Sequence, residues 1–149
     1  MRILAIDPGH SQSAVVGWDG KEIFGKETLL NEQVIPLLLG SSAYDMLAIE
    51  MVTCYGKKVG KDIFETVFWI GRFVQAWSNK YKRIYRKTVA AHLCNSVQAN
   101  DAKIRAALIT RFGMPGTEAI PGLTYGLKTD QWSAFGVAVT CWDKQNERH

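Results

Sequence analysis

Two short segments of this sequence end alike. Leu4-Ala5-Ile6-Asp7 and Leu47-Ala48-Ile49-Glu50 each carry a continuous apolar run into an acidic residue. Such a run reads as a strand buried on both faces. A carboxylate at its end is costly unless it is paired, hydrogen-bonded or bound to metal. If the two strands are parallel neighbours, Asp7 and Glu50 sit side by side at the carboxyl edge of a sheet, the edge that ligand sites favour in α/β folds. A third acid, Asp130, opens the last helical segment, and the small apolar stretch 132–139 behind it presses that helix onto the sheet. Asp130 then points toward the strand ends. Each acid has a plainer explanation: Asp7 orders the Pro8-Gly9 turn, Glu50 is a solvated strand end, and Asp130 offsets the helix dipole. For the Asp7–Glu50 pair the plainer explanations lose weight.

Three carboxylates without a nearby histidine pair suit Mg²⁺ or Mn²⁺ better than zinc. Two such ions about 3.5–4 Å apart support phosphodiester hydrolysis, one activating the attacking water and the other stabilising the leaving oxygen. The acids repel one another without metal, so a strongly metal-coupled site is expected.

The elements that must position these acids can be read along the chain. Residues 2–6, 13–18 and 21–27 read as three strands of an antiparallel meander, with Asp19-Gly20 as a two-residue hairpin signal. A short helix follows over 31–39, bent or shortened by Pro36, and then a fourth strand over 45–52. The segment 53–61, with Gly56, Gly60 and three lysines, is a loop. Residues 62–79 form the clearest helix, with Asp62 at its start. Its apolar positions Ile63, Val67, Ile70, Val74 and Trp77 are widened by Phe64, Phe68, Trp69 and Phe73, more than one side of a sheet needs. Either it is a central helix between two layers or it also meets a partner subunit. A fifth strand is expected over 83–89. Asn100 or Asp101 caps a helix running to about Phe112, with Gly113 as its stop. A loop rich in proline and glycine leads to the last helix, capped by Thr129 and running to about Trp142. The order βββ-α-β-α-β-α-α predicts an α/β fold in which a mixed sheet is covered on both faces, as a single domain over 1–149.

Composition agrees with this. The chain has 149 residues, is 47% hydrophobic and 21% charged, and has apolar material for a core without a disulfide or zinc staple. No apolar run reaches the ~18 residues of a membrane helix, and the N-terminus lacks a signal-peptide layout. A cytoplasmic protein with no membrane partner is expected. Cys54, Cys94 and Cys141 form no CxxC pair and read as buried free thiols. His10, His92 and His149 are too scattered for a zinc site. The net charge of +4 is compatible with a nucleic-acid partner. Lys57, Lys58 and Lys61 cluster in one segment; Lys80, Lys82, Arg83, Arg86 and Lys87 cluster in another, interleaved with Tyr81 and Tyr85.

Asp7-Pro8-Gly9 after a buried strand, Ala48-Ile49-Glu50 ending the fourth, and Asp130 ahead of Ala134-Phe135-Gly136-Val137-Ala138-Val139-Thr140 together resemble the RuvC family of Holliday-junction resolvases, within the RNase H-like superfamily. The stretch from Asn100-Asp101-Ala102-Lys103 through Ile109 resembles phage-type members, which implies a phage or prophage origin and a bacterial or phage-infected host cell. The resemblance implies an RNase H-like five-stranded mixed sheet with helices on both faces. It also implies a homodimer that binds a four-way DNA junction and nicks two opposed strands. Asp7, Glu50 and Asp130 become catalytic metal ligands for Mg²⁺, with Mn²⁺ substituting and two ions per site. Tyr55 matches an aromatic residue that stacks on a base at the junction. Lys57, Lys58, Lys61, Lys82, Arg83, Arg86 and Lys87 are expected on the DNA-binding surface. The family has a second acid three residues after the position of Asp130, where this chain has Ser133, and a basic residue near the position of Asp101. Ser133 is expected to line the site and Asp101 to cap its helix, with a fourth ligand at Asp101 as the alternative. The competing functions are an RNase H-like nuclease acting on flaps or hybrids and a non-catalytic junction-binding protein.

Overall fold

The structure, a computed structural model, describes residues 1–41, 43–54 and 56–147. β1 (Ile3–Asp7), β2 (Gln12–Trp18) and β3 (Ile23–Leu30) form the expected antiparallel meander. β4 (Met46–Met51) lies parallel to β1 with Ile6 opposite Ile49, and β5 (Lys80–Tyr85) lies parallel to β4 with Glu50 opposite Ile84. The result is one mixed sheet in the order β3-β2-β1-β4-β5, with the two acid-ending strands adjacent near its centre.

The pleat sends alternate residues to opposite cores. Ile3, Ala5, Met46 and Ala48 pack on the face covered by α5 (Thr129–Asn146), which α3 (Arg86–Cys94) and α4 (Asp101–Phe112) cover in turn. Leu4, Ile6, Leu47 and Ile49 pack on the opposite face with residues of α1 (Asn31–Leu39) and α2 (Lys61–Ala76). Residues 134–141 of α5 are all buried, as befits a helix clasped between a sheet and a second helical layer. Gly136 faces the second layer closely: a Cβ there would stand in contact, 3.4 Å from side-chain atoms of both Ile104 and Val89.

Several elements differ from the sequence reading. The fifth strand lies at 80–85 rather than 83–89, and residues 86–94 are a helix. β5 is an edge strand whose only buried residue is Ile84, so burial imposed little periodicity on it. The central helix is α5, not α2. The latter buries Trp69, Ile70 and Phe73 but leaves Phe64 66% and Phe68 61% exposed. The β2–β3 link is a longer turn, in which the Asp19 carboxylate accepts from the backbone N–H of Lys21 (2.9 Å) and Glu22 (2.7 Å). The cap of α5 is Lys128 rather than Thr129, and the helix runs about one turn past Trp142. Cys54 is exposed and Cys94 half-buried, so only Cys141 is the buried thiol expected. Among the described residues, no helix is long and apolar enough to cross a membrane.

Candidate active site

Asp7 and Glu50 continue the two rows Ile3–Ala5 and Met46–Ala48, so the pleat sends both toward α5. Their side chains share a hydrogen bond. The Asp7 carboxyl is pushed up to about 9, chiefly by burial, then by the charge of Glu50, their shared hydrogen bond and the charge of Asp130, with Arg86 acting in the opposite direction. Burial and the neighbouring acids thus both disfavour a charged Asp7, and Arg86 does not outweigh them.

The turn after Asp7 is held by a ring of hydrogen bonds. Gly9 N–H donates to Ser13 Oγ (3.2 Å), Ser13 Oγ–H donates to Asn31 Oδ1 (2.7 Å), and Asn31 Nδ2–H donates to the Gly9 carbonyl (2.9 Å). Ser13 and Asn31 are 2% and 0% exposed. A Cβ on Gly9 would lie 2.3 Å from the Gln12 carbonyl oxygen, so only glycine fits. The sequence reading missed Ser13 and Asn31. The one available signal was a serine and an asparagine on either side of the hairpin, a weak cue without knowledge of the pairing.

Asp130 is exposed in the first turn of α5. Its neighbour Gln131 fixes that turn, accepting from Lys128 N–H (3.1 Å) and donating to Thr28 Oγ1 on β3 (3.2 Å). Asp7 feels Asp130 through charge and not through a hydrogen bond. Among the described residues, no three His, Cys, Asp or Glu side chains are gathered closely enough to hold one ion. The three acids predicted from sequence thus share one end of the fold, with two joined and the third acting on Asp7 through its charge.

Ser133 and Asp101 both line a hollow of about 210 Å³, together with Arg105, Thr129 and Trp132. Asp101 is not the cap of α4; Asn100 is, with Oδ1 accepting from Lys103 N–H at 2.9 Å. Asp101 instead pairs with Arg86. Arg86, which the sequence placed on the DNA-binding surface, belongs to the site itself. Its Nη1 lies 3.8 Å from Glu50 Oε1. The misplaced fifth strand hid this, because the strand actually ends at residue 85 and delivers Arg86 to the carboxyl edge.

Of the other basic candidates, Lys57, Lys58 and Lys61 are exposed in the segment entering α2, Lys82 and Arg83 on β5, and Lys87 on α3. Tyr55 and His149 lie outside the described residues. His10 faces Asp62 at 3.8 Å with both side chains largely exposed, and His92 bonds Asp143 at 2.7 Å.

No protein-family model and no curated protein matches the chain. Solved structures do. The structure of Thermus thermophilus RuvC is similar with a TM-score of 0.68 and 15% identity over 94% of this chain and 92% of that one. T. thermophilus RuvC in complex with a Holliday junction substrate gives 0.72 and 14% over the same shares. The fold is therefore the RNase H-like α/β fold of RuvC.

Proposed function

We propose that this chain is a divalent-metal-dependent endonuclease that nicks four-way and other branched DNA. The observation carrying this reading is the hydrogen-bonded Asp7–Glu50 pair at the carboxyl ends of two adjacent parallel strands, within reach of the charge of Asp130, in a RuvC-like fold. Its donors are hard carboxylate oxygens, and burial with the neighbouring acids disfavours charge on Asp7 until a cation offsets it. Both features fit Mg²⁺ or Mn²⁺. Asp7 and Glu50, with Asp130, would hold two ions, which supply water activation and leaving-group stabilisation when bound. The chain's own part is to fix the acids. The ring of Gly9, Ser13 and Asn31 holds the turn behind Asp7, and Gln131 holds the turn that bears Asp130.

The exposed Lys57, Lys58, Lys61, Lys82, Arg83 and Lys87 supply phosphate contacts, which makes binding salt-dependent. Two copies pack through the exposed apolar face of α2 and set two sites on one junction. This reading places the protein with DNA in the cytoplasm of a bacterial or phage-infected cell.

The test is incubation of the chain with a four-way junction, a Y-fork and an RNA–DNA hybrid, with Mg²⁺, with Mn²⁺ and without metal. Nicking of branched DNA in either metal is expected. Asp7→Asn abolishes nicking and leaves junction binding intact. Wild-type nicking rates in Asp7→Asn would sink the assignment of the site, and preferred cleavage of the hybrid would move the substrate class. One observation favours a second reading, a protein that holds junctions without cutting them. Ser133 places a neutral hydroxyl beside α5's acid, and no three-acid cluster is assembled among the described residues. Tight junction binding without nicking in both metals is the outcome that selects it.

A further inference from the structure

Arg86 is the first residue of α3 and follows β5 directly. Because β5 is parallel to β4, with Tyr85 opposite Met51, the strand delivers residue 86 to the edge that carries Glu50. Its side chain is only 27% exposed. Nη2 is taken by Asp101, on the first turn of α4. Nη1 lies 3.8 Å from Glu50 Oε1, beyond hydrogen-bond range. That Nη1 is buried and has no hydrogen-bond partner. One arm of a rigid fork is therefore fixed and the other points, unused, at the carboxylate pair.

A buried charged donor without an acceptor is costly, so its persistence calls for an acceptor that the folded chain does not itself supply. Glu50 is the acceptor it faces, and it stands out of hydrogen-bond reach. An anionic oxygen on a ligand seated over the pair would supply that acceptor, and a guanidinium fork matches the oxygens of a phosphodiester.

We propose that Arg86 is a catalytic residue whose Nη1 binds a non-bridging oxygen of the phosphodiester being cleaved, and that Asp101 is the positioning residue holding the guanidinium. This rests on the nuclease reading for the word cleaved, but the phosphate contact is testable without cleavage. Asp101, with 81% of its side chain exposed, anchors the fork from the solvent side and leaves the inner arm free. Arg86 moves no proton; it offsets the negative charge on the phosphate and orients it.

The experiment pairs each variant with a four-way DNA junction in which single phosphates near the branch are replaced, one at a time, by neutral methylphosphonate. Binding is measured in Ca²⁺. In the wild type, one position weakens binding by about 10-fold, the scale of a lost charge-assisted contact. In Arg86→Gln the same replacement has no effect, while Arg86→Lys keeps part of it. Nicking in Mg²⁺ at saturating protein falls about 100-fold in Arg86→Gln, as for loss of one transition-state donor. Asp101→Asn, which keeps Arg86 and the helix, lowers nicking less, and adds nothing further in the Arg86→Gln background. It serves as the independent arm if Arg86→Gln fails to fold. Equal methylphosphonate effects in wild type and Arg86→Gln at every position would overturn the proposal, as would additive effects of the two substitutions. A coupled phosphate in a chain that never nicks would leave Arg86 as a phosphate ligand and defeat the nuclease reading alone.

Discussion

At the scale of single residues, the site depends on side chains that touch no substrate. Asn31 is fully buried and satisfies both Ser13 and the Gly9 carbonyl. Removing it leaves a buried hydroxyl and a half-buried carbonyl short of partners behind the turn that carries Asp7. Asn31→Ala is therefore expected to destabilise the fold by about 2 kcal/mol. It should also slow nicking at temperatures where the chain is still folded. Denaturant unfolding checks the first effect, and a stability within about 0.5 kcal/mol of wild type would show that the ring contributes little. Ser13→Ala also removes two of the ring's three hydrogen bonds, from Gly9 N–H and to Asn31 Oδ1, and is expected to destabilise the fold to a similar degree.

At the scale of elements, the helical layer over α5 is tied together at its far end by charge. Arg111 on α4 donates two hydrogen bonds to the Asp143 carboxylate on α5 (2.6 and 2.9 Å), and His92 on α3 bonds the same group at 2.7 Å. Burial works against the charge on Asp143, but the bonds from Arg111 and His92 outweigh it and hold the carboxyl below its ordinary 3.8. A lowered carboxyl value contributes stability that is present above 3.8 and lost as the pH falls through the lowered value. Arg111 is 44% exposed, so solvent screening keeps the contribution modest. Asp143→Asn should cost about 1 kcal/mol at neutral pH, and the gap to wild type should close in acid. Denaturant titrations at neutral pH and near pH 2.5 measure this; a gap that widens in acid would refute it.

At the scale of the whole molecule, one feature of α2 has no use inside a single chain. Ile63, Phe64, Val67 and Phe68 are 37%, 66%, 39% and 61% exposed on one helix, an apolar patch of the kind that marks an association surface. The proposed symmetric dimer would cover it with its own copy, and two sites on one junction would then cut opposed strands. Phe64→Ser together with Phe68→Ser is expected to yield a monomer of unchanged folding stability, since both side chains lie mostly in solvent. Sedimentation of wild type and variant reads this directly. A wild-type chain that sediments as a monomer, free and on DNA, would exclude the dimer.

The sequence by itself determined the central strands, the mixed sheet and the approach of Asp7 to Glu50. Continuous burial on both faces leaves Ile3–Ile6 and Leu47–Ile49 little choice of residue, so their pattern is strong. It also signalled α4 through the asparagine that caps it, and the apolar excess of α2, though not where that excess would face. Tertiary structure decided the rest. β5 lies at an edge with one buried residue, so its sequence carries little periodicity and its end was placed late. That error kept Arg86 out of the site. Asp101 read as a cap because caps are local, whereas its ion pair joins residues brought together only by the packing of α3 against α4. The ring around Gly9 likewise spans 22 positions of chain, a pairing that no local pattern encodes.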